Sequence, residues 1–214
     1  MKKRIFITAT NTDIGKTYTT KLLLKAFAAR GLKVGVIKPI ETGVVDYPID
    51  GEALLECVKE LNPKLWSIEV EDIVPITYTL PAAPFVASDN MPLDLKKIVK
   101  KIEEMEASSD IVIIEGAGGL YVPIDEQTMM IDLIKLLNAK ALLVTHCSLG
   151  CINDTLLSQK ALEAKQIPHI VAFNCRDDDD SFSVVSEPYF IKTGQKVLKV
   201  GDDIDSICEL LYNL

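Results

Sequence analysis

The stretch RIFITATNTDIGKTYTTKLLLKAFAAR, residues Arg4–Arg30, decides how this chain folds. Its opening, Arg4–Thr10, is apolar at most positions and rich in β-branched side chains, which reads as a strand covered on both faces. Polar residues then crowd into Asn11–Gly15. From Lys16 the spacing changes: Leu22, Leu23, Ala26 and Phe27 fall on one helical stripe, and Gly31 stands where a left-handed residue would end the helix. A strand, a polar turn ending in Gly15-Lys16-Thr17 and an amphipathic helix, in that order, are the setting of a phosphate-binding loop. Backbone N–H groups at the helix start can wrap a polyphosphate, helped by the positive end of the helix dipole. Lys16 can reach the β- and γ-phosphate oxygens, and the Thr17 hydroxyl can ligate Mg2+. The loop is one residue longer than G-x-x-x-x-G-K-[ST], and Ala9 takes the place of its first glycine.

The same alternation continues along the chain. Lys33–Lys38, Asp110–Glu115, Lys140–Thr145 and His169–Asn174 read as further buried strands. Between or after them lie helical patterns at Gly51–Leu61, Leu93–Met105, Met130–Leu137, Ile152–Lys165 and Ile204–Tyr212, with Pro92 suited to the first turn of the second. Such alternation predicts a doubly wound α/β fold: a mostly parallel sheet flanked by helices, P-loop NTPase-like, in a single domain over residues 1–214. Two stretches break the rhythm. Ser67–Asn90, with Pro75, Pro81 and Pro84, reads as a short strand plus a long loop. Arg176–Tyr189 has no clear period, and its run Asp177–Asp180 reads as a solvated loop or a flap over a ligand.

At 214 residues, with 48% hydrophobic and 25% charged, the chain suits one domain with a sizeable core. A net charge of −8 argues against a nucleic-acid or anionic-membrane partner, since both need a basic face. No apolar run approaches the roughly 18 residues of a membrane-spanning helix. The start MKKRIFITAT runs straight into a strand and does not read as a signal peptide. Five cysteines, an odd number, without an export signal lead to the expectation of reduced thiols in a cytoplasmic protein. His146 and His169 lie beside strand-like runs, without the tight Cys/His grouping of a zinc site.

Two more strands end in reactive groups. Lys33–Lys38 runs into Lys38-Pro39 and then Glu41-Thr42-Gly43, and Asp110–Glu115 runs into Glu115-Gly116-Ala117-Gly118-Gly119. Ligands of open parallel sheets bind at the carboxyl ends of strands, so the loop, Lys38 and Glu115 are expected to converge. A carboxylate beside a phosphate loop suits Mg2+, which prefers oxygen ligands and keeps some waters. The glycines after Glu115 allow another group to approach the backbone. Gly150-Cys151-Ile152-Asn153 opens another helix and offers free N–H groups to an anion, or is a plain helix start.

TNTDIGKT (10–17), IKPIETG (37–43), IEGAGGLYVP (114–123), SLGCIN (148–153) and VAFN (171–174) together resemble the dethiobiotin synthetases of biotin biosynthesis. The resemblance implies ATP-dependent ring closure of 7,8-diaminopelargonate with CO2 or bicarbonate. One amine becomes a carbamate, ATP phosphorylates it, and the second amine closes the ureido ring. By the family pattern Lys16, Lys38 and Thr12 are catalytic, with Thr12, Lys38 and Thr42 beside the diamine and carbamate. The nucleotide contacts implied are Asp13, Ile14, Gly15, Lys16, Thr17, Tyr18, Asp50, Glu115, Gly116, Ala117, Gly118 and Asn174, the last facing the adenine edge. Mg2+ is implied at Thr17 and Glu115 with a further acidic residue, Asp50, or Glu52 two positions on. Gly150, Cys151, Ile152 and Asn153 are implied to receive the substrate carboxylate from the neighbouring subunit's site, which makes the protein a homodimer.

The departures are local. Phe85, in Ala83-Pro84-Phe85, stands where relatives often have histidine, and KVLKVGDD (196–203) replaces a Pro-Trp-like stretch. The alternative is a switch-type P-loop ATPase of the partition or cell-division class. Those proteins carry an extra lysine early in the loop, where this chain has Thr10, Asn11 and Thr12, and they need a basic or amphipathic appendage.

Overall fold

The computed structural model describes residues 3–176, 179 and 181–214. Five strands, β1 (Lys3–Ala9), β2 (Val34–Ile37), β5 (Ile111–Gly119), β6 (Lys140–His146) and β7 (His169–Asn174), form one sheet in the order β2-β5-β1-β6-β7. Every neighbouring pair is parallel, so all five carboxyl ends lie along one edge. The remaining strands, β3 (Ile40–Thr42) and β4 (Ile76–Tyr78), pair separately beyond that edge.

β1 is central, and Ile5, Phe6 and Ile7 are buried on both of its faces. Helix α1 (Lys16–Ala29) presses Leu23, Leu24 and Phe27 onto the sheet, each worth about 1.5–3 kcal/mol of burial. Replacing Leu23 by alanine would open a cavity at a cost of about 2–5 kcal/mol. Helix α2 (Ile49–Leu61) and the last helix, α10 (Ile204–Asn213), lie beside α1 on this face. The crossovers through α5 (Leu95–Ala107), α6 (Met130–Leu136) and α7 (Cys151–Ala164) run the other way along the sheet. Right-handed connection therefore places them on the opposite face.

Several sequence expectations need correction. α5 starts at Leu95 behind Asp94, whose carboxylate accepts from Lys97 N at 3.0 Å, so Pro92 lies outside the helix. The Ser67–Asn90 stretch holds two one-turn helices, α3 (Val70–Ile73) and α4 (Pro84–Ala87), besides β4. Its strand pairs with β3, three residues that read as loop. β5 runs on through its glycines to Gly119, which pairs with Ala9; a Cβ there would meet Thr10 and Ala9 carbonyl oxygens at 3.2 and 3.3 Å. Arg176–Tyr189 contains α8 (Phe182–Val185) and the start of α9 (Glu187–Lys192), which seat Phe182 and Phe190 against Phe173 at 5.2 and 4.9 Å between ring centroids. The aspartate run lies outside the described residues except for Asp179.

The cysteines are not all reduced. Cys147 and Cys175 form a disulfide with Cα atoms 4.9 Å apart. β6 and β7 pair His146 with Asn174, so the next residue of each strand faces its counterpart. Cys57, Cys151 and Cys208 remain buried thiols. Among the described residues no helix is long and apolar enough to cross a membrane.

Candidate active site

The loop after β1 turns through Asp13 (φ 58°) and Gly15 (φ 95°) into α1. Gly15 is a left-handed N-cap without a side-chain acceptor, so α1 opens with uncapped N–H groups. A side chain at Gly15 would also collide with Asn174. Lys16, only 8% exposed, donates to Asn11 O at 3.1 Å. Burial, reinforced by the charge of Lys38, brings its pKa down to about 8.

Below the loop lies a chain of charge. Glu115 is 0% exposed, and both of its oxygens accept hydrogen bonds. Its Oε1 accepts from Thr17 Oγ1 and Lys38 Nζ, both at 2.8 Å, and its Oε2 accepts from Thr20 Oγ1 at 2.7 Å. Lys38 Nζ also donates to Asp50 Oδ2 at 2.7 Å, from the first turn of α2. Burial alone would lower the Lys38 pKa, but the two carboxylates, Glu115 foremost, outweigh it and hold the ammonium charged. Burial likewise works against the Asp50 carboxylate, and the charge of Lys38 more than offsets this, keeping its pKa below the usual value.

The loop, Lys38 and Asp50 border a cavity of about 670 Å3, within the range of small-ligand sites. Thr12, Asp13, Gly15, Lys16, Thr17, Tyr18, Thr42, Ala117 and Gly118 line it as well. These are residues from four separate stretches of sequence, brought together at the carboxyl edge.

Similarity to known proteins gives the family of this chain. Residues 3–210 match a protein family described as AAA domain. The chain is 47% identical over 186 residues to the ATP-dependent dethiobiotin synthetase BioD of Sulfurovum sp. (strain NBC37-1), covering 87% of this chain and 89% of that one. It is 34% identical over 214 residues to the protein of the same name from Wolinella succinogenes, covering 99% of each. The chain belongs to the dethiobiotin synthetase family.

As a member of that family it is an ATP-dependent ligase. Solved structures share only the fold. The MinC:MinD cell division complex of Aquifex aeolicus has a TM-score of 0.53 at 19% identity, covering 91% of this chain and 79% of that one. A ParA family ATPase from Chlorobium tepidum has a TM-score of 0.54 at 13% identity, with 96% and 90% covered.

Asp50 borders the cavity, whereas Glu52 does not line it. Gly116 is packed under Phe6, and Ile14 offers its carbonyl to Asn174 Nδ2 at 2.8 Å. Gly150–Asn153, after β6, do not line the cavity, and the Cys151 N–H is donated to Ser148 O at 3.1 Å. His146 braces this turn, contacting Ser148 Oγ at 2.6 Å and Asp154 Oδ2 at 3.0 Å.

Three lining residues escaped the sequence reading: Ile40, Glu41 and Arg176. Glu41 sat inside a quoted motif, and Arg176, which donates to Asp13 O, is the lone cation before the aspartate run.

Thr17, Asp50 and Glu115 offer only oxygen donors. They are drawn together by the 2.8 Å Thr17–Glu115 bond and by Lys38 between the carboxylates. No group of three or more His, Cys, Asp or Glu forms a metal cage among the described residues. The set fits Mg2+, which takes one or two carboxylates and completes its shell with water and phosphate oxygens.

Proposed function

We propose that the protein makes dethiobiotin from 7,8-diaminopelargonate, CO2 or bicarbonate, and ATP. The observation that carries this reading is the pair of buried lysines, Lys16 and Lys38, on a phosphate loop backed by Asp50 and Glu115. An amine nitrogen of the substrate bonds to the carbon of CO2 and loses a proton, giving a carbamate. A carbamate oxygen attacks the γ-phosphorus of ATP, and ADP leaves. The second amine attacks the carbonyl carbon, and phosphate leaves as the ring closes.

A carbamate and a γ-phosphate are both anions and repel each other. Lys16 neutralises the phosphate side and Lys38 the carbamate side, while Thr12 and Thr42 orient the diamine. Lys38 is suited to the task because its carboxylate partners keep it charged. Thr17, Asp50 and Glu115 would hold Mg2+, which supplies charge neutralisation across the phosphates when bound. The uncapped start of α1 cradles the phosphates.

In this reading the protein is a homodimer, and Gly150–Asn153, which stand outside the cavity, receive the carboxylate tail of a substrate bound on the other subunit. A cytoplasmic location is part of this reading and follows from the supply of ATP and bicarbonate rather than from the cysteines. Neither nucleic acid nor membrane is a partner.

The test is steady-state phosphate release with each component omitted in turn. Release that needs both diamine and bicarbonate supports the synthetase. Release that ignores the diamine and rises with lipid or DNA overturns it.

A further inference from the structure

Helix α2 begins behind Pro48, whose side chain has no acceptor to cap the first turn. The turn is capped from elsewhere. Asp50 N and Gly51 N donate to Glu41 Oε1 and Oε2 at 3.1 and 3.0 Å. Glu41 belongs to β3, nine residues before Asp50, and is only 8% exposed although it borders the nucleotide cavity. A carboxylate is well matched to this place, because it satisfies two otherwise unpaired donors at the positive end of a helix. Each oxygen accepts one backbone N–H, so the carboxylate is held as the cap of this helix start.

The residue whose N–H it holds is the one whose side chain reaches Lys38 Nζ at 2.7 Å. We infer that Glu41 is a positioning residue: its two-pronged grip on the start of α2 fixes the Asp50 carboxylate against Lys38 and so sets the affinity of the site for the divalent cation that accompanies the nucleotide. The inference rests on Asp50 belonging to the Mg2+ set proposed above.

Two features of the surroundings make the grip consequential. The Asp50 carboxylate is partly exposed, whereas the Lys38 ammonium is almost wholly buried, so the position of Asp50 depends on its helix. Gly51 leaves no room for a side chain against Val74, so the same turn is held close from the other side. Glu41 therefore acts on the reacting groups through the backbone of one helical turn.

The experiment measures Mn2+ binding to the protein–ADP complex by electron paramagnetic resonance, alongside ADP affinity without metal by calorimetry. Glu41→Ala is expected to weaken Mn2+ by ~10-fold, the low end for losing a group that orients a metal ligand. Metal-free ADP affinity should stay within ~3-fold of wild type, since the loop itself is untouched. Glu41→Gln keeps one acceptor and should fall between, and it serves as the readout if the alanine variant does not fold.

In an Asp50→Asn background, Glu41→Gln should weaken Mn2+ no further, because its effect runs through Asp50. Unchanged Mn2+ affinity in both single variants, parallel losses of ADP and Mn2+ affinity, or additive losses in the double variant would each overturn the inference. No diamine enters these titrations. Failure of the ring-closure reading would appear instead as wild-type phosphate release that ignores the diamine, with Mn2+ binding unaffected.

Discussion

Around the phosphate end of the cavity, Lys38 holds Asp50 and Glu115 through side-chain contacts of 2.7 and 2.8 Å. On the far side, Asn174 and Arg176 hold the loop through its backbone, donating to Ile14 O and Asp13 O. The first arrangement demands particular residue types, since losing one partner would leave a buried charge uncompensated. The second uses amide and guanidinium donors as struts, and at least one donor of each is then occupied with the loop rather than free for a base. A site built this way should grip phosphates tightly and read the base loosely.

The strongest test of the phosphate end is Lys38→Ala. Turnover is expected to fall by ~10²–10³, the scale for losing one preorganised electrostatic stabiliser. ATP affinity should change little, because Lys16 and the loop remain. Calorimetry and steady-state phosphate release measure the two separately. Near-normal turnover would mean that the buried charge chain is structural, and the contrast between the two ends would collapse.

The far side carries a covalent tie instead, Cys147–Cys175, placed immediately after Asn174 and closing a separation of 28 residues. A loop of that size is worth about 3.5 kcal/mol of stability in the chain-entropy picture. Reduction should lower the stability measured by denaturant titration by that order. Thiol counting on the unfolded, unreduced protein should find three groups, Cys57, Cys151 and Cys208. Five reactive thiols would remove the tie and leave Asn174 and Arg176 to brace the loop alone.

A smaller effect is expected when the base is changed. Replacing ATP by GTP or CTP at saturating diamine should lower turnover less than ~10-fold, about 1.4 kcal/mol. A stricter preference would show that the far side does read the base, with Asn174 the first residue to examine.

The same contrast governs what could be read from the sequence. Lys16, Thr17, Lys38 and Glu115 were legible because phosphate and Mg2+ chemistry dictates their types and strand ends dictate their places. Asp50 was preferred to Glu52 by resemblance alone, and its contact with Lys38 rests on the phase of α2, which no motif displays. The cap supplied by Glu41 was hidden because it reaches its helix from another element. The disulfide needed the β6–β7 register, which no spacing along one strand reveals. β3 with three residues and α8 with four are too short to display a period at all. Arg176 had no motif around it. What remained unread was held by contacts between elements rather than by patterns within them.

The finest distinction between the two ends is a proton. Lys16 in the free protein has its pKa brought down to about 8 from an ordinary 10.5, by burial and then by Lys38. Between those values the unfolded chain holds more protons than the folded one, so this group costs stability below pH 8 and the cost lifts as pH rises toward 10.5. A bound triphosphate reverses the balance, because an anion beside the ammonium favours its charged form. At pH 8 the free lysine is about half protonated, so ATP binding should draw up to about half a proton per site from the buffer. ATP affinity should weaken as pH rises above 8. Calorimetry in two buffers of different ionisation enthalpy measures the uptake, and Lys16→Gln supplies the background from the nucleotide itself. GTP should draw the same fraction as ATP, because the proton belongs to the phosphate end. Uptake that differs between the two nucleotides would mean that the far side also moves Lys16, and that the two ends are coupled through the loop that Asn174 and Arg176 hold.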